Sequence, residues 1–294
     1  MMKISKITKS DEAVVGIIVA VLLIGLMLIV VSILQTVFIP NWMKQVEAEH
    51  MDEVSEQFAQ LKFAIDLQTV LNVSNLPIST PVTIGNKGFP ILNSGQSFGD
   101  LTINEDATIF TIDNTSTPLI ELGTIQYSSN NFYFLDQTYT YESGGIIITQ
   151  DEGSIMTIKP SITMELDESN DLLINLTLIN ISITGNKYSA SGFGTYPIRV
   201  EYNGIQISEN ISEFVTYINV SSSYPDAWYL FFRSPLNNII ENLGFSLTED
   251  ILDIVSDTVV LNLDELRAEL VFSDIYVKYS TVKINAQIAP GWVE

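Results

Sequence analysis

Residues able to carry out chemistry are few in this chain of 294 residues. It has no cysteine and a single histidine, His50, so disulfides, thiolate sites and zinc sites lack their ligands. Nucleophilic catalysis would need a Ser or Thr beside a general base, and the one histidine falls on an apolar helical stripe. We therefore expect His50 to be a packing residue, and we expect neither a cofactor nor an enzymatic activity.

Acidic side chains are the remaining candidates. With 35 of them a catalytic carboxylate pair could form, but no spacing singles one out. The densest group is Asp167-Glu168-Ser169-Asn170-Asp171, which offers the oxygen ligands that Ca²⁺ prefers. The same residue types favour turns, and strand-like runs flank them, so we interpret the group as a hairpin tip, with a cation site as the alternative.

The net charge of −22 is unevenly distributed. Residues 1–13 contain three lysines and two acidic residues, whereas residues 14–294 hold 10 basic and 33 acidic residues, a net charge of −23. A surface this acidic repels nucleic acid and anionic lipid head groups. We therefore expect no nucleic-acid partner.

An apolar segment of 26 residues, Val14–Ile39, contains no charged residue. About 20 such residues span a bilayer, and a secretory signal has a shorter apolar stretch followed by a small-residue cleavage site. The segment therefore predicts a retained helix that crosses the membrane once. Because the lysines precede it, residues 1–13 are expected to be a cytoplasmic leader, and the rest of the chain is expected outside the cell membrane.

A second helical pattern follows from residue 40 to about Leu71. Apolar residues at steps of three or four predict an amphipathic stalk, which Pro40 should kink or break at the membrane surface. The stripe needs a cover, either the chain's own β domain or a helix of a second copy, and we favour self-association. The expected interface residues are Val46, Val54, Phe58, Leu61 and Ile65.

Residues 76–294 change to short runs of β-branched and aromatic residues between Gly, Asn and Pro. These runs predict a mainly antiparallel, sandwich-like β domain that is soluble without the anchor. Asn203-Gly204 is a strong hairpin signal, and Phe132–Leu135 is one of the expected strands. The whole chain is thus predicted to be α+β.

One stretch of this domain has a helical pattern. Pro225 with Asp226 behind it suits the first turn of a helix, and residues 225–243 predict one or two short helices. Trp228 and Phe232 are four residues apart and are expected to share the buried face.

Six Asn-X-Ser/Thr sequons lie in the part of the chain expected outside. A Ser- and Asn-rich sequence produces some of them by composition alone, but we expect at least one to carry a glycan. The candidate acceptors are Asn72, Asn114, Asn175, Asn180, Asn210 and Asn219.

The N-terminus resembles that of archaeal type IV pilin-like surface proteins. The matching residues are Lys9-Ser10-Asp11-Glu12-Ala13-Val14-Val15-Gly16-Ile17-Ile18, a basic leader and an acidic residue with Ala before an unbroken apolar helix. The resemblance implies a class III signal that a prepilin-type peptidase cuts between Ala13 and Val14. Many pilins carry a glutamate just inside the mature helix, whereas the first acidic residue after Ala13 here is Glu47.

Three further patches resemble uncharacterised archaeal membrane-anchored proteins of pilin-like type. They are Trp42-Met43-Lys44 with Glu49-His50-Met51 and Gln57-Phe58, then Tyr141-Glu142-Ser143-Gly144-Gly145-Ile146-Ile147-Ile148 with Gln150, and Ala227-Trp228 with Phe231-Phe232. This resemblance implies architecture and location rather than an activity.

Three classes of function remain. The first is a pilin-like cell-surface subunit with a structural or adhesive role. The second is a monomeric, membrane-anchored envelope protein that binds glycan, S-layer or cations. The third, an ectoenzyme, is the least favoured.

Overall fold

The fold is that of a computed structural model. It describes residues 7–86, 96–112, 119–151, 153–211, 215–269 and 274–288, with side chains from residue 14 onward except at 209–211 and 269. Residues 1–6 of the expected leader lie outside these ranges, while residues 7–13 continue the first helix toward the N-terminus.

One continuous helix forms the N-terminal part of the molecule. It comprises α1 (Ile7–Ile33), a π-helical segment (Leu34–Phe38) and α2 (Ile39–Leu71). Of the two expectations for Pro40, a kink or a break, the break does not occur, because the helix continues through this residue. Proline lacks an N–H and its ring clashes with the carbonyl four residues earlier, and the π-helical turn just before it changes that register. The Ile39 N–H accordingly donates to the Leu34 carbonyl, five residues back.

The remaining described residues form mostly antiparallel β structure with two helices. The helices are α3 (Pro225–Asn242) and α4 (Leu263–Glu269). The strands are β1 (Ile78–Thr83), β2 (Phe98–Ile112), β3 (Ile120–Asn130), β4 (Thr138–Glu142), β5 (Gly145–Gln150), β6 (Gly153–Ile158), β7 (Ile162–Leu166), β8 (Leu172–Ile183), β9 (Ser189–Gly192), β10 (Thr195–Ile211), β11 (Tyr217–Ser221), β12 (Leu252–Val255), β13 (Thr258–Asn262) and β14 (Ile275–Ile288).

The strands make two sheets. One has the order β1-β10-β14-β8-β7, and the other has the order β12-β13-β11-β2-β3-β4-β5-β6, with β9 also paired to β2. All described pairs are antiparallel except β14 with β8, whose parallel register runs from Ile275 opposite Leu172 to Ala286 opposite Ile183. The prediction of a long apolar N-terminal helix followed by a mostly antiparallel β domain is confirmed at this level.

Two apolar clusters fill the domain. The long strands β8 and β14 contribute to both, because Leu178 and Tyr279 lie in one cluster while Ile179 and Val282 lie in the other. We call them the α2 half-core and the α3 half-core after the helix that each contains. Helix α3 packs against β6, β7, β11, β12 and β13, and so bridges the two edge strands of the larger sheet.

Helix α2 supplies one wall of the α2 half-core. It packs on β1 and β10 of one sheet and on β4 and β5 of the other. Val54, Phe58, Leu61 and Ile65 are completely buried there, and Val46 is half-buried. The chain's own β domain thus covers the stripe that we expected a second helix to cover. The domain boundary expected between residues 71 and 76 consequently divides one packed unit.

Two local expectations are corrected. Asn203-Gly204 makes no hairpin, since both residues lie inside β10, where the pairing with β14 shifts register between Tyr202 and Ile207. Gly204 has φ +106°, so the Asn-Gly pair supports a bulge in a long strand instead of a turn. Phe132–Leu135 is a bent loop rather than a strand, because its backbone is bound by a buried carboxylate described below.

The helix expected over residues 225–243 is present as α3, and α4 was not anticipated. Trp228 and Phe232 are both completely buried, with ring centroids 5.9 Å apart. Phe110 meets Trp228 edge-on at 5.2 Å. The helix therefore attaches to the sheet through an aromatic cluster, as its spacing predicted.

Candidate functional site

The most extended unusual surface of the molecule is the first part of the N-terminal helix. Large apolar side chains between Val14 and Phe38 are 38–68% exposed, and the described part of the chain leaves them uncovered. By length and composition this is the one helix among the described residues that could cross a membrane. A fully exposed apolar helix of this length would be unstable in water, which supports a lipid environment.

Glu47 connects this helix to the β domain. Its side chain is completely buried near the start of α2, and it accepts three backbone hydrogen bonds. The Phe132 N–H donates to Oε1 at 3.1 Å, and the N–H groups of Tyr133 and Phe134 donate to Oε2 at 2.7 and 2.6 Å. Hydrogen bonds to a carboxylate are strong, and a buried carboxylate needs them. We call this arrangement the Glu47 clamp.

His50 lies one turn beyond Glu47 and is nearly buried. Its Nε2 lies 3.0 Å from the Thr83 carbonyl, which can only accept, so Nε2 carries the proton. Nδ1 is then the unprotonated nitrogen and is buried without a partner among the described residues. Burial lowers the pKa of His50, although the bond to Thr83 and the charges of Glu53 and Glu47 oppose that shift. This neutral, enclosed ring fits the packing role expected of it.

Two grooves flank the outer surfaces of α2. The first, of about 570 Å³, lies between α2 and strands β4–β6, and Asp52, Ser55 and Gln150 are among its polar lining residues. Tyr139 stands in its wall and donates to the Met51 carbonyl at 3.1 Å, and burial raises the pKa of this phenol to about 12. The polar side chains of this lining could hydrogen-bond a small polar group.

The second groove, of about 520 Å³, lies on the other side of α2. Glu49 and Glu53 line it together with His50, and Phe193 and Thr195 face them from the start of β10. Its acidic side is formed by one helix only. Among the residues that the structure describes, no group of three His, Asp or Glu side chains could hold a metal ion.

Glu142 is the second buried carboxyl group. It is 1% exposed, at the end of β4, and the Trp228 indole N–H donates to its Oε1 at 2.7 Å. The hydroxyls of Ser222 and Thr108 lie beside it. Burial raises the pKa of Glu142, and these hydrogen bonds oppose the shift. This carboxyl group is thus part of the interior of the domain rather than of its surface.

A tyrosine extends this polar network. The Tyr224 hydroxyl accepts hydrogen bonds from Gln126 Nε2 at 2.9 Å and from Thr140 Oγ1 at 3.0 Å. Tyr224 directly precedes α3, so the network holds the start of that helix against β3 and β4. The hydrogen bond between Trp228 and Glu142 also joins two of the sequence patches described above, because Glu142 belongs to one patch and Trp228 to another.

The turn of β4 and β5 presents Glu142 to the tryptophan. Ser143 and Gly144 have φ values of +48° and +88°, which fits a type I′ two-residue hairpin. Ser143 is completely buried. The hairpin thus ends inside the molecule rather than in solvent.

The acidic group at residues 167–171 forms the tip between β7 and β8. Asp167 Oδ1 accepts from the N–H groups of Ser169 at 2.7 Å and Asp171 at 2.9 Å, and Asp171 Oδ1 accepts from the Asp274 N–H at 2.9 Å. These carboxylate oxygens are engaged in shaping the turn. The structure therefore places the group at a hairpin tip, where the sequence predicted it.

The candidate glycan acceptors differ in accessibility. Asn72 is exposed and ends α2 with φ +52°, and Asn175 is exposed on β8. Asn180 accepts from the Gly123 N–H at 3.2 Å between the two sheets, and the Oδ1 of Asn219 is buried. Asn114 lies outside the described residues, and the structure does not describe the side chain of Asn210.

A serine with the spacing of a nucleophile elbow also occurs, in Gly95-Gln96-Ser97-Phe98-Gly99. Such an elbow requires a sharp turn from a strand into a helix with an exposed serine. Ser97 is instead 1% exposed, it precedes strand β2, and its Oγ accepts from the Asn86 N–H at 3.2 Å. Ser97 therefore has the sequence spacing of a nucleophile elbow but does not lie in the structure of one.

Comparison of the chain with family models, with curated proteins and with solved structures finds no match. The Glu47 clamp and the Glu142 network are the polar sites that the sequence did not identify. The partners of Glu47 and Glu142 lie 85–87 residues away along the chain. Those of Glu47 are backbone N–H groups, which no sequence pattern identifies. The position of an acid close to an apolar stripe was the only available signal for Glu47.

Proposed function

We propose that this chain is a membrane-anchored structural protein of the cell surface, a pilin-like subunit whose N-terminal helix holds an acidic β domain outside the membrane. One observation carries the proposal. A single continuous helix is bare and apolar from Val14 to Phe38, and is then incorporated into the core of the β domain from Met43 to Gln68. Anchor and domain core are therefore one rigid element.

The charge distribution supports the orientation. Three lysines precede the apolar segment, and a net charge of −23 follows it, so the lysine-rich end belongs in the cytoplasm. The leader sequence ending at Ala13 supports processing by a prepilin-type peptidase. The buried groups Glu47, His50 and Glu142 are each bound within the fold, which favours a structural or adhesive role over catalysis.

A solitary anchored envelope protein is the second candidate. It is favoured by the position of Glu47, whose carboxylate already accepts three bonds from its own chain and is enclosed away from any neighbouring subunit. The covered α2 stripe points the same way. In this case the groove of about 570 Å³ beside α2 is the natural place for a glycan or another small polar ligand.

The two candidates differ in processing and assembly. The full chain should be produced in cells that contain a prepilin-type peptidase, and its mature N-terminus determined by mass spectrometry together with electron microscopy of surface filaments. The pilin-like proposal predicts a chain that begins at Val14 and is present in filaments. Ala13→Phe should block processing, with Ser10→Ala as the matched control. A chain found only in the membrane favours the solitary anchor, and a mature chain beginning beyond Pro40 contradicts both.

A further inference from the structure

The β domain begins close to the end of the exposed apolar part of the N-terminal helix. Phe38 is 62% exposed, yet Ile39 and Pro40 are half-buried and Met43 is 2% exposed. The burial of Met43 requires cover from outside the helix, because large apolar side chains in the preceding turns of the same helix are 38–68% exposed. The domain surface therefore reaches to within about one helical turn of Ile39, which leaves no room for a long free stalk between the two described parts.

Two loops flank this first part of α2. The loop of residues 131–137 is bound by Glu47, and the loop around Phe193 and Gly194 lines a groove with Val46 and Glu49. At a rise of 1.5 Å per residue, Glu47 stands about 12 Å beyond Ile39. Helical side chains point back toward the helix N-terminus, so the N–H groups bound by the Glu47 carboxylate lie closer to Ile39 than this. The interfacial layer extends about 5–7 Å past the hydrocarbon, a distance that large side chains of these loops can bridge.

Four large apolar side chains near this end are exposed. Phe132 is 69% exposed, Leu135 is 55% exposed and Phe193 is 50% exposed, and Trp42 on the helix beside them is 47% exposed. We call these four residues the apolar rim. Aromatic rings are enriched at membrane interfaces, where their apolar surface meets the acyl boundary. The rim lies next to the exposed apolar part of the helix, since Trp42 follows Phe38 by only four residues.

The Glu47 clamp gives the rim a fixed position. Backbone N–H groups near lipid need internal partners, and the carboxylate on the anchor helix supplies three for residues 132–134. The loop is thereby tied to the helix itself rather than to a distant strand. The depth to which the helix enters the membrane therefore also determines the depth of Phe132 and Leu135.

We propose that the apolar rim rests in the interfacial layer of the lipid bilayer and seats the β domain directly on the membrane surface. The proposal rests on the membrane anchoring proposed above. Its partner is the lipid surface itself, and net-neutral lipid suits the acidic domain best. The rim turns a single-helix attachment into a two-part contact that limits tilting of the domain.

The absence of cysteine from the sequence makes a depth measurement direct, because one introduced cysteine is the only labelling site. Full-length Leu135→Cys and Phe193→Cys should be labelled with a nitroxide in phosphatidylcholine nanodiscs, and the label's accessibility to oxygen and to a water-soluble nickel chelate compared. Leu28→Cys reports on the anchor. Val255→Cys, 57% exposed on β12 away from α2, is the matched water-exposed control. Each labelled variant should first show the wild-type circular dichroism spectrum.

The expected result is an oxygen-to-nickel accessibility ratio several-fold higher at Leu135→Cys and Phe193→Cys than at Val255→Cys, with Leu28→Cys higher still. Rim labels that match Val255→Cys while Leu28→Cys is deep would overturn the rim and leave the anchor intact. Rim labels shielded from both reagents would indicate contact with a second copy, which also overturns it. A water-accessible Leu28→Cys would contradict the proposed anchoring itself.

Discussion

At the scale of single residues, Glu142 should make the stability of the protein depend on pH. Burial raises its pKa in the folded state above the ordinary value of 4.5. The stability that the protonated form contributes is therefore complete below about pH 4.5 and is lost as pH rises through the folded pKa. Gln at this position keeps an acceptor for Trp228 and does not ionise.

Glu142→Gln should accordingly gain in stability relative to wild type as pH rises. Between the two pKa values the difference in the free energy of unfolding should grow by about 1.4 kcal/mol per pH unit. Denaturant unfolding of the full chain in detergent from pH 4.5 to 8 measures it. Glu168→Gln, at an exposed position, is the control and should show no such trend. A constant difference for Glu142→Gln would show that the carboxyl group is not desolvated.

Glu47 should stabilise the fold through the three backbone hydrogen bonds that its carboxylate accepts. Glu47→Gln replaces one acceptor oxygen by an NH₂ group that faces backbone donors, so at least one hydrogen bond to a charged group is lost. We expect the free energy of unfolding to fall by about 2–3 kcal/mol. Amide exchange at residues 132–134 should accelerate. Glu49→Gln, exposed and bound to Gln45 on its own helix, should change neither quantity, and equal effects of the two variants would contradict the clamp.

Both residues mark a limit of what the sequence could predict. Composition and spacing identified the apolar stripe on α2, but Glu47 looks there like one more solvent-facing acid until its buried environment is known. The pairing of Glu142 with Trp228 spans 86 residues, and no local pattern carries such a contact. Trp228 itself was predictable as a buried residue, because only the helical period was needed for that.

At the scale of elements, α2 should be required for folding of the β domain. A chain beginning at Asn41 lacks the apolar anchor and keeps the α2 half-core intact, so we expect it to be soluble and to unfold cooperatively. A chain beginning at Leu76 lacks the completely buried Val54, Phe58, Leu61 and Ile65. Each such side chain contributes about 1.5–3 kcal/mol, and their sum is comparable with the total stability of a domain.

Circular dichroism and thermal unfolding of the two truncated chains check this prediction. The chain from Leu76 should aggregate or lose its cooperative transition. If both chains unfold with the same midpoint, α2 is a dispensable stalk, as its sequence first suggested. The sequence could not decide between these outcomes, because an amphipathic stripe indicates that something covers it but does not identify the covering element.

Strand prediction succeeded and failed for physical reasons visible in the elements. The strand-like run expected before the acidic group is present as β7 (Ile162–Leu166), because that acidic group and a Lys-Pro pair delimit it. Asn203-Gly204 misled because a glycine with positive φ serves a bulge as well as a hairpin, and β14 pairs with residues on both sides of it. Phe132–Leu135 misled because Glu47 takes the N–H groups that a strand would have used.

At the scale of the whole molecule, the helix makes anchor and domain one body. Its apolar first part is uncovered in the described structure, and its second part is packed in the core of the β domain, so the orientation of the domain follows that of the helix. The sequence predicted this general plan from one apolar run and a change in composition. It could not predict that the domain covers the helix from Met43, within about one turn of Ile39, because that depends on long-range packing.

The most direct test of a membrane-anchored, externally displayed domain is cysteine labelling in intact cells. Val255→Cys and Lys3→Cys should be produced separately in cells without a prepilin-type peptidase and treated with a membrane-impermeant maleimide. The account predicts that Val255→Cys is labelled in intact cells, and Lys3→Cys only after permeabilisation. Labelling of Lys3→Cys with protection of Val255→Cys, or recovery of the full chain in the soluble fraction, would contradict it.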